Sequence, residues 1–376
     1  MTSSSTTRSA TRSATRQKAR IKRYVAFITC AVLVLGAAAA LIVIKPWTNK
    51  SIHPVQSVRY LGVYQPDAPG TYAGVNQFAQ AIGMQPNLVS YYSRWLEPFQ
   101  AGFATSAANH GAKTIIQIDP ENVSLAQIAA GRYDAYLRSY AAAVKTFGGQ
   151  VVISFGHEMN GNWYSWANQH TSPEVFVAAW RHVVTVFRTA GADNVTWLWT
   201  VNIIDNSIPI PNPTPWWPGS SYVNWVGIDG YYYLSSQTFA QVYSATIVAV
   251  LKLTSDPIII AETGAAPAAG QPAKINDLFS GIRSYGLMGF VWFDENTQGR
   301  TWRITSPEAF DAFRQDAKAF VRPPATAGAA PTHLCSRHSP SLASVLPCPR
   351  ESAERHQKAG HTSRPHLDFR QTEDKP

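Results

Sequence analysis

Two glutamates in this chain each stand at the end of an uncharged, apolar run: Glu158 follows "VVISFGH" and Glu262 follows "PIIIA". An ionised carboxylate at such a place is costly unless it is paired or used. The surroundings of the first are unusual as well. "GHEMNGNWYSW", residues 156–166, sets a histidine, an acid and two asparagines beside three large rings. Two carboxyl groups facing each other across a cleft can split a glycosidic bond, one protonating the leaving oxygen while the other attacks or stabilises the sugar cation. Aromatic walls fit that chemistry, because sugar rings stack their C–H faces on Trp and Tyr.

Other chemistries fail on spacing. "HE" opens the zincin pattern HExxH, but Gly161 occupies the place of the second histidine and no other histidine cluster replaces it. The GxSxG turn of a serine nucleophile is missing from every strand-to-helix junction. Neither a metal nor a cofactor is expected. The formal charge of +9 is no sign of nucleic-acid binding either, because residues 24–322 carry 18 basic and 18 acidic side chains. The excess sits at the two ends, so no basic stripe is laid along a folded domain.

Eight strand-like runs could carry these side chains, at 58–65, 88–95, 113–120, 150–158, 194–202, 223–231, 257–264 and 288–296. Most intervals hold an amphipathic segment, such as the helix predicted from Pro173 with Gly191 as its stop. The interval "IIDNSIPIPNPTPWWPGSSY" is too rich in proline for a full helix and reads as a long loop. Near-continuous apolar strands with helices between them imply a parallel sheet covered on its outer face. Eight such units predict an α/β fold, a (β/α)8 TIM barrel, over residues 58–322. A doubly wound open sheet is the competitor, but "GVYQPDAPGTYAG" after the first run is not the expected GxGxxG.

A barrel gathers reactive side chains where its strands end. The runs end in Asp119, in His157 and Glu158, in Asn202, in Asp229 and Tyr231, in Glu262, and in Asp294, Glu295 and Asn296. Glu158 and Glu262 lie 104 residues apart, about three units, and so should face each other across the mouth. Asn160, Asn202 and Asp229 are expected to orient partners or sugar, whereas Asp119, Asp294 and Asn296 could hold sugar hydroxyls or a structural ion.

Outside the barrel, residues 1–23 carry seven basic residues and no acid, and residues 24–44 carry no charge at all. That run is long enough to span a bilayer, so residues 24–45 read as a transmembrane signal anchor, with a cleaved signal peptide as the alternative. Positive-inside bias then leaves the start of the chain in the cytoplasm and the barrel outside. Residues 46–57 read as a linker and 323–376 as a disordered tail, which holds Cys335 and Cys348.

"HEMNGNWYSW", "VNWVGIDGYYY", "IIIAETG" and "GFVWFDEN" together resemble glycoside hydrolase family 26, over about residues 58–320. The resemblance implies a (β/α)8 barrel acting on β-linked polysaccharide, among mannanases, mixed-linkage β-glucanases and β-1,3-xylanases. It implies Glu158 as proton donor and Glu262 as nucleophile, with His157 beside the acid. Trp163 would border the cleavage point, Tyr231 would hydrogen-bond the nucleophile, and Trp292 would be the sugar-stacking floor. Mannanase members often carry Arg four positions before the acid and His near the end of the third strand. Here those places hold Ser154 and "IDP". The departure bears on mannan as substrate and leaves catalysis untouched. The expected protein is a monomeric retaining endo-β-glycosidase; a cell-surface lectin on the same barrel is the rival, and both acids being present argues against it.

Overall fold

The computed structural model describes residues 59–205, 210–297 and 299–320. The expected anchor, linker and tail, with all three cysteines, lie outside them. Among the described residues no helix is long and apolar enough to cross a membrane.

Eight parallel strands close on themselves in chain order. They are β1 (Tyr60–Tyr64), β2 (Leu88–Arg94), β3 (Lys113–Asp119), β4 (Val151–Phe155), β5 (Val195–Asn202), β6 (Trp225–Asp229), β7 (Ile258–Thr263) and β8 (Gly289–Phe293). Each falls within one of the eight predicted runs. The outer layer comprises α1 (Ala73–Ile82), α2 (Ala101–Asn109), α3 (Leu125–Ala129), α4 (Asp134–Phe147), α5 (Pro173–Thr189), α6 (Phe239–Leu251), α7 (Gln271–Ser284) and α8 (Pro307–Phe320). Among the described residues between β5 and β6, the proline-rich interval holds a 3-10 turn, Thr214–Trp216, and no α-helix.

The seam of the barrel joins β8 to β1 from Tyr60 opposite Gly289 to Tyr64 opposite Phe293. Gly289 has φ +154, and a Cβ there would lie 1.9 Å from the Tyr60 carbonyl oxygen, so the approach that closes the ring requires glycine. Helix starts are built from local chemistry: the Ser172 hydroxyl accepts from the Val175 N–H with Pro173 in the first turn of α5, and Thr238 and Gln241 cap α6 reciprocally.

Side chains alternate across each strand, and this divides the core in two. Outward residues such as Ile116, Ile153, Trp199, Ile228 and Phe290 meet Phe176, Trp180, Phe279 and Phe313 of the helices. Inward residues, Leu88, Ile115, Val152, Leu198, Ile259 and Val291, fill the barrel. The same inward rows, followed to the strand ends, become polar: Tyr92, Asp119, Asn202 and Asp229 stand one or two steps beyond apolar filler.

Candidate active site

Glu158 reaches the mouth through a bent exit from β4. Gly156 has φ +58 and Glu158 itself φ +53. A left-handed conformation costs a residue with a Cβ about 1–2 kcal/mol, and local bonds hold it: the Glu158 N–H donates to the Thr200 carbonyl at 3.0 Å and the Gly161 N–H to the Glu158 carbonyl at 2.8 Å. The carboxylate, 7% exposed, then accepts from Trp163 Nε1 at 2.7 Å and from Asn202 Nδ2 at 2.6 Å, one donor to each oxygen.

Glu262 arrives by a different device. Ile258 and Ile260 face the helices while Ile259 faces inward, so regular alternation would send Glu262 outward too. Pairing with β6 shifts instead: Ile228 is opposite Ile260, but Asp229 is opposite Glu262, with Ala261 as the extra residue. This bulge turns Glu262 into the mouth. Tyr92 of β2 donates to its Oε1, and Tyr231 donates to its Oε2 at 2.8 Å. Burial, and next the Glu262 charge, push both phenols well above their usual pKa, so they remain O–H donors.

One carboxylate oxygen from each of Glu158, Asp229 and Glu262 lies within 4.8 Å of the other two. Asp229 is fully buried beside them. The three are spaced closely enough to hold a cation, although four neutral donors already meet the charge of Glu158 and Glu262. Oxygens this close fit the roughly 5–5.5 Å carboxyl separation of a retaining hydrolysis better than the roughly 6.5–9.5 Å of an inverting one.

Residues 97–296 match the sequence model of Glycosyl hydrolase family 26. The chain belongs to that family. Among curated relatives, Endoglucanase H of Acetivibrio thermocellus is 34% identical over 263 residues, which are 65% of this chain and 29% of that protein. Beta-1,3-xylanase TXYA of a Vibrio species is 27% identical over 168 residues, 41% of this chain and 35% of the xylanase. This chain therefore spans about a third of the length of each. Solved structures share the fold: a double mutant of the Cellulomonas fimi endo-beta-1,4-mannanase has TM-score 0.53 at 16% identity, over 70% of this chain and 68% of that one. A GH26 beta-mannanase from Bacteroides ovatus has TM-score 0.52 at 15% identity, over 70% and 86% of the two chains.

Within this family 26 barrel the other expected site residues separate into layers. His157 is 2% exposed, with Nδ1 at 2.8 Å from Asp119 Oδ1 and Nε2 at 3.2 Å from the Tyr164 hydroxyl. Burial opposes its charging, but the Asp119 charge and hydrogen bond, with Glu262 and Glu158 beyond, prevail and raise its pKa to about 9. Asn160 is fully buried. Its side chain accepts from the Asn202 N–H and donates to the Asn202 carbonyl, both at 2.9 Å, so it clamps the strand end that supports Glu158. Trp166 stacks on Tyr164 at 4.3 Å and donates from Nε1 to the His157 carbonyl at 2.8 Å. Asp294 accepts from Gln65 Nε2 and the Ile304 N–H, both at 2.9 Å.

Trp292 is a correction. Its ring is 0% exposed and packs at 5.9 Å against Phe313 of α8, on the helix side of β8. The two-residue period explains this: Val291 and Phe293 face inward, so Trp292 between them faces out. The rings at the mouth are others. Phe293 stacks on Tyr64 at 4.8 Å, and Trp302, from the segment after β8, packs on Tyr231 at 4.5 Å. Sequence reasoning also missed Tyr92, although it lies two positions from Ser90 and four from Leu88 on the inward row of β2.

Proposed function

We propose that this chain is a retaining endo-β-glycosidase and that its substrate is a β-linked glucan, mixed-linkage or β-1,4. The convergence of Glu158 and Glu262 within 4.8 Å carries the reading. In the first step a Glu262 oxygen attacks the anomeric carbon, the bond from that carbon to the glycosidic oxygen breaks, and Glu158 gives its proton to the departing oxygen. In the second, water attacks the same carbon, passes a proton to Glu158, and frees Glu262. Two inversions retain the stereochemistry.

Trp163 and Asn202 orient the acid, while Tyr92 and Tyr231 hold the nucleophile at two points. Asp229 adds negative charge beside the sugar cation that develops. His157 and Asn160 act as positioning residues behind this layer. A glucan is favoured over mannan by the likeness to an endoglucanase at 34% identity, and by Ser154 and the run "IDP" at 118–120 standing where mannanase members often carry Arg and His. The uncharged run at 24–44 would tether the barrel outside the cytoplasmic membrane, where polymers too large to enter a cell are met.

Reducing-sugar release from barley-type β-glucan and from soluble mannan by the full chain tests the reading. Release from the glucan is expected, with the new reducing ends first in the β configuration by NMR. Release from mannan alone would reassign the substrate. Binding without release from either polymer would make the barrel a carbohydrate-binding protein.

A further inference from the structure

Outside the catalytic centre, an aromatic wall continues along the mouth. Tyr231, which donates to Glu262 at 2.8 Å, packs on Trp302 at 4.5 Å. Trp302 in turn meets Tyr233 edge to face at 5.3 Å. Over the Tyr233 ring lies the Arg300 guanidinium, 4.9 Å from the centroid. Arg300 belongs to a short strand, Arg300–Thr301, that pairs with Asn296–Thr297 beyond β8.

Tyr233 is built to stay where it is. The Tyr233 and Leu234 N–H groups both donate to Gln237 Oε1, at 2.7 and 2.9 Å, which fixes the turn after β6. That turn nevertheless leaves Tyr233 38% and Leu234 57% exposed, two of the six exposed large apolar side chains among the described residues. Burial raises the Tyr233 phenol to about 12, against the Arg300 charge and with those of Glu158 and Asp205. The ring thus lies within electrostatic reach of the acid while keeping open surface.

We propose that Tyr233 and Arg300 form a further sugar subsite on this rim, taking a neutral β-linked hexopyranosyl unit of the chain being cleaved. The proposal rests on the glycosidase reading above. The C–H face of the sugar would lie on the exposed part of the Tyr233 ring. The Arg300 guanidinium, 4.9 Å from the ring centroid, would meet the vicinal hydroxyls of that sugar as an N–H donor.

Isothermal titration of glucan oligosaccharides into the Glu262→Ala chain reads this subsite without turnover. Adding Tyr233→Ala should raise Kd for a hexasaccharide about tenfold and for a disaccharide less than twofold; Tyr233→Phe should restore most of the loss. Arg300→Gln should weaken the hexasaccharide severalfold. Equal Kd values with and without Tyr233→Ala, in a variant whose Tm is unchanged, would overturn the subsite, even if the wild type hydrolyses glucan. Length-dependent weakening in a chain whose wild type releases no sugar would keep the subsite and overturn the hydrolase. If neither glucan nor mannan oligosaccharides bind, both readings fall.

Discussion

Asp119 Oδ1 lies 2.8 Å from His157 Nδ1 in a pocket that leaves the imidazole 2% exposed. Tyr92 and Trp166 pack around the ring, Tyr164 meets Nε2, and Glu158 and Glu262 add charge from the mouth. Despite burial, these neighbours raise the His157 pKa from 6.5 to about 9. A group whose pKa rises on folding stabilises fully below its unfolded value and loses that contribution as pH climbs through the folded one.

The expected consequence is a pH-dependent cost of Asp119→Asn. By urea denaturation the variant should be less stable than the wild type by up to about 3 kcal/mol near pH 6. The gap should narrow as pH rises through about 9. A constant gap across that window would show that the imidazole is not charged in the native state.

Tyr92 and Tyr231 each donate to a different oxygen of Glu262. A hydrogen bond to a charged group contributes about 1.5–3 kcal/mol, so Tyr92→Phe and Tyr231→Phe should each lower kcat roughly tenfold to a hundredfold. Their effects should not add, since one carboxylate is released by either change. Steady-state kinetics of the two single variants and the double variant check this; full additivity would mean that the phenols serve separate steps.

The eight strands were legible because apolar runs with helical intervals leave few architectures, and strand ends then located Glu158, Asn202, Asp229 and Glu262. Side-chain direction was harder. Simple alternation along β8 would have placed Trp292 outward and Phe293 inward, yet the same rule along β7 would have sent Glu262 away from the mouth. Only the extra residue Ala261, visible as a shift in pairing, reverses it. For Asn160 the sequence left the partner open: a buried amide that mimics a backbone partner carries no periodic signal, and the structure pairs it with the Asn202 backbone. Trp302 lies beyond the last strand, in a segment whose path the strands do not dictate.

Because Trp292 fills the space between β8 and α8, its loss should act on stability. Trp292→Ala is expected to cost about 3–5 kcal/mol, seen as a large fall in Tm, while KM of the protein that remains folded stays near that of the wild type. A raised KM at unchanged Tm would return this ring to the cleft.

Gly161 ties the acid to its aromatic neighbour. A Cβ at this position would come within 2.4 Å of the Trp163 ring, and that indole donates to Glu158 Oε2 at 2.7 Å. The clash falls on the far end of a half-buried side chain, which can swing aside with little strain in the core. Gly161→Ala should therefore leave Tm within a few degrees of the wild type and yet lower kcat about tenfold or more, as Glu158 loses one of its two oriented donors. Asn202 alone would then hold the carboxyl. Tryptophan fluorescence would register the displaced ring. An unchanged kcat with a shifted emission would show that the Trp163 bond is dispensable for proton donation.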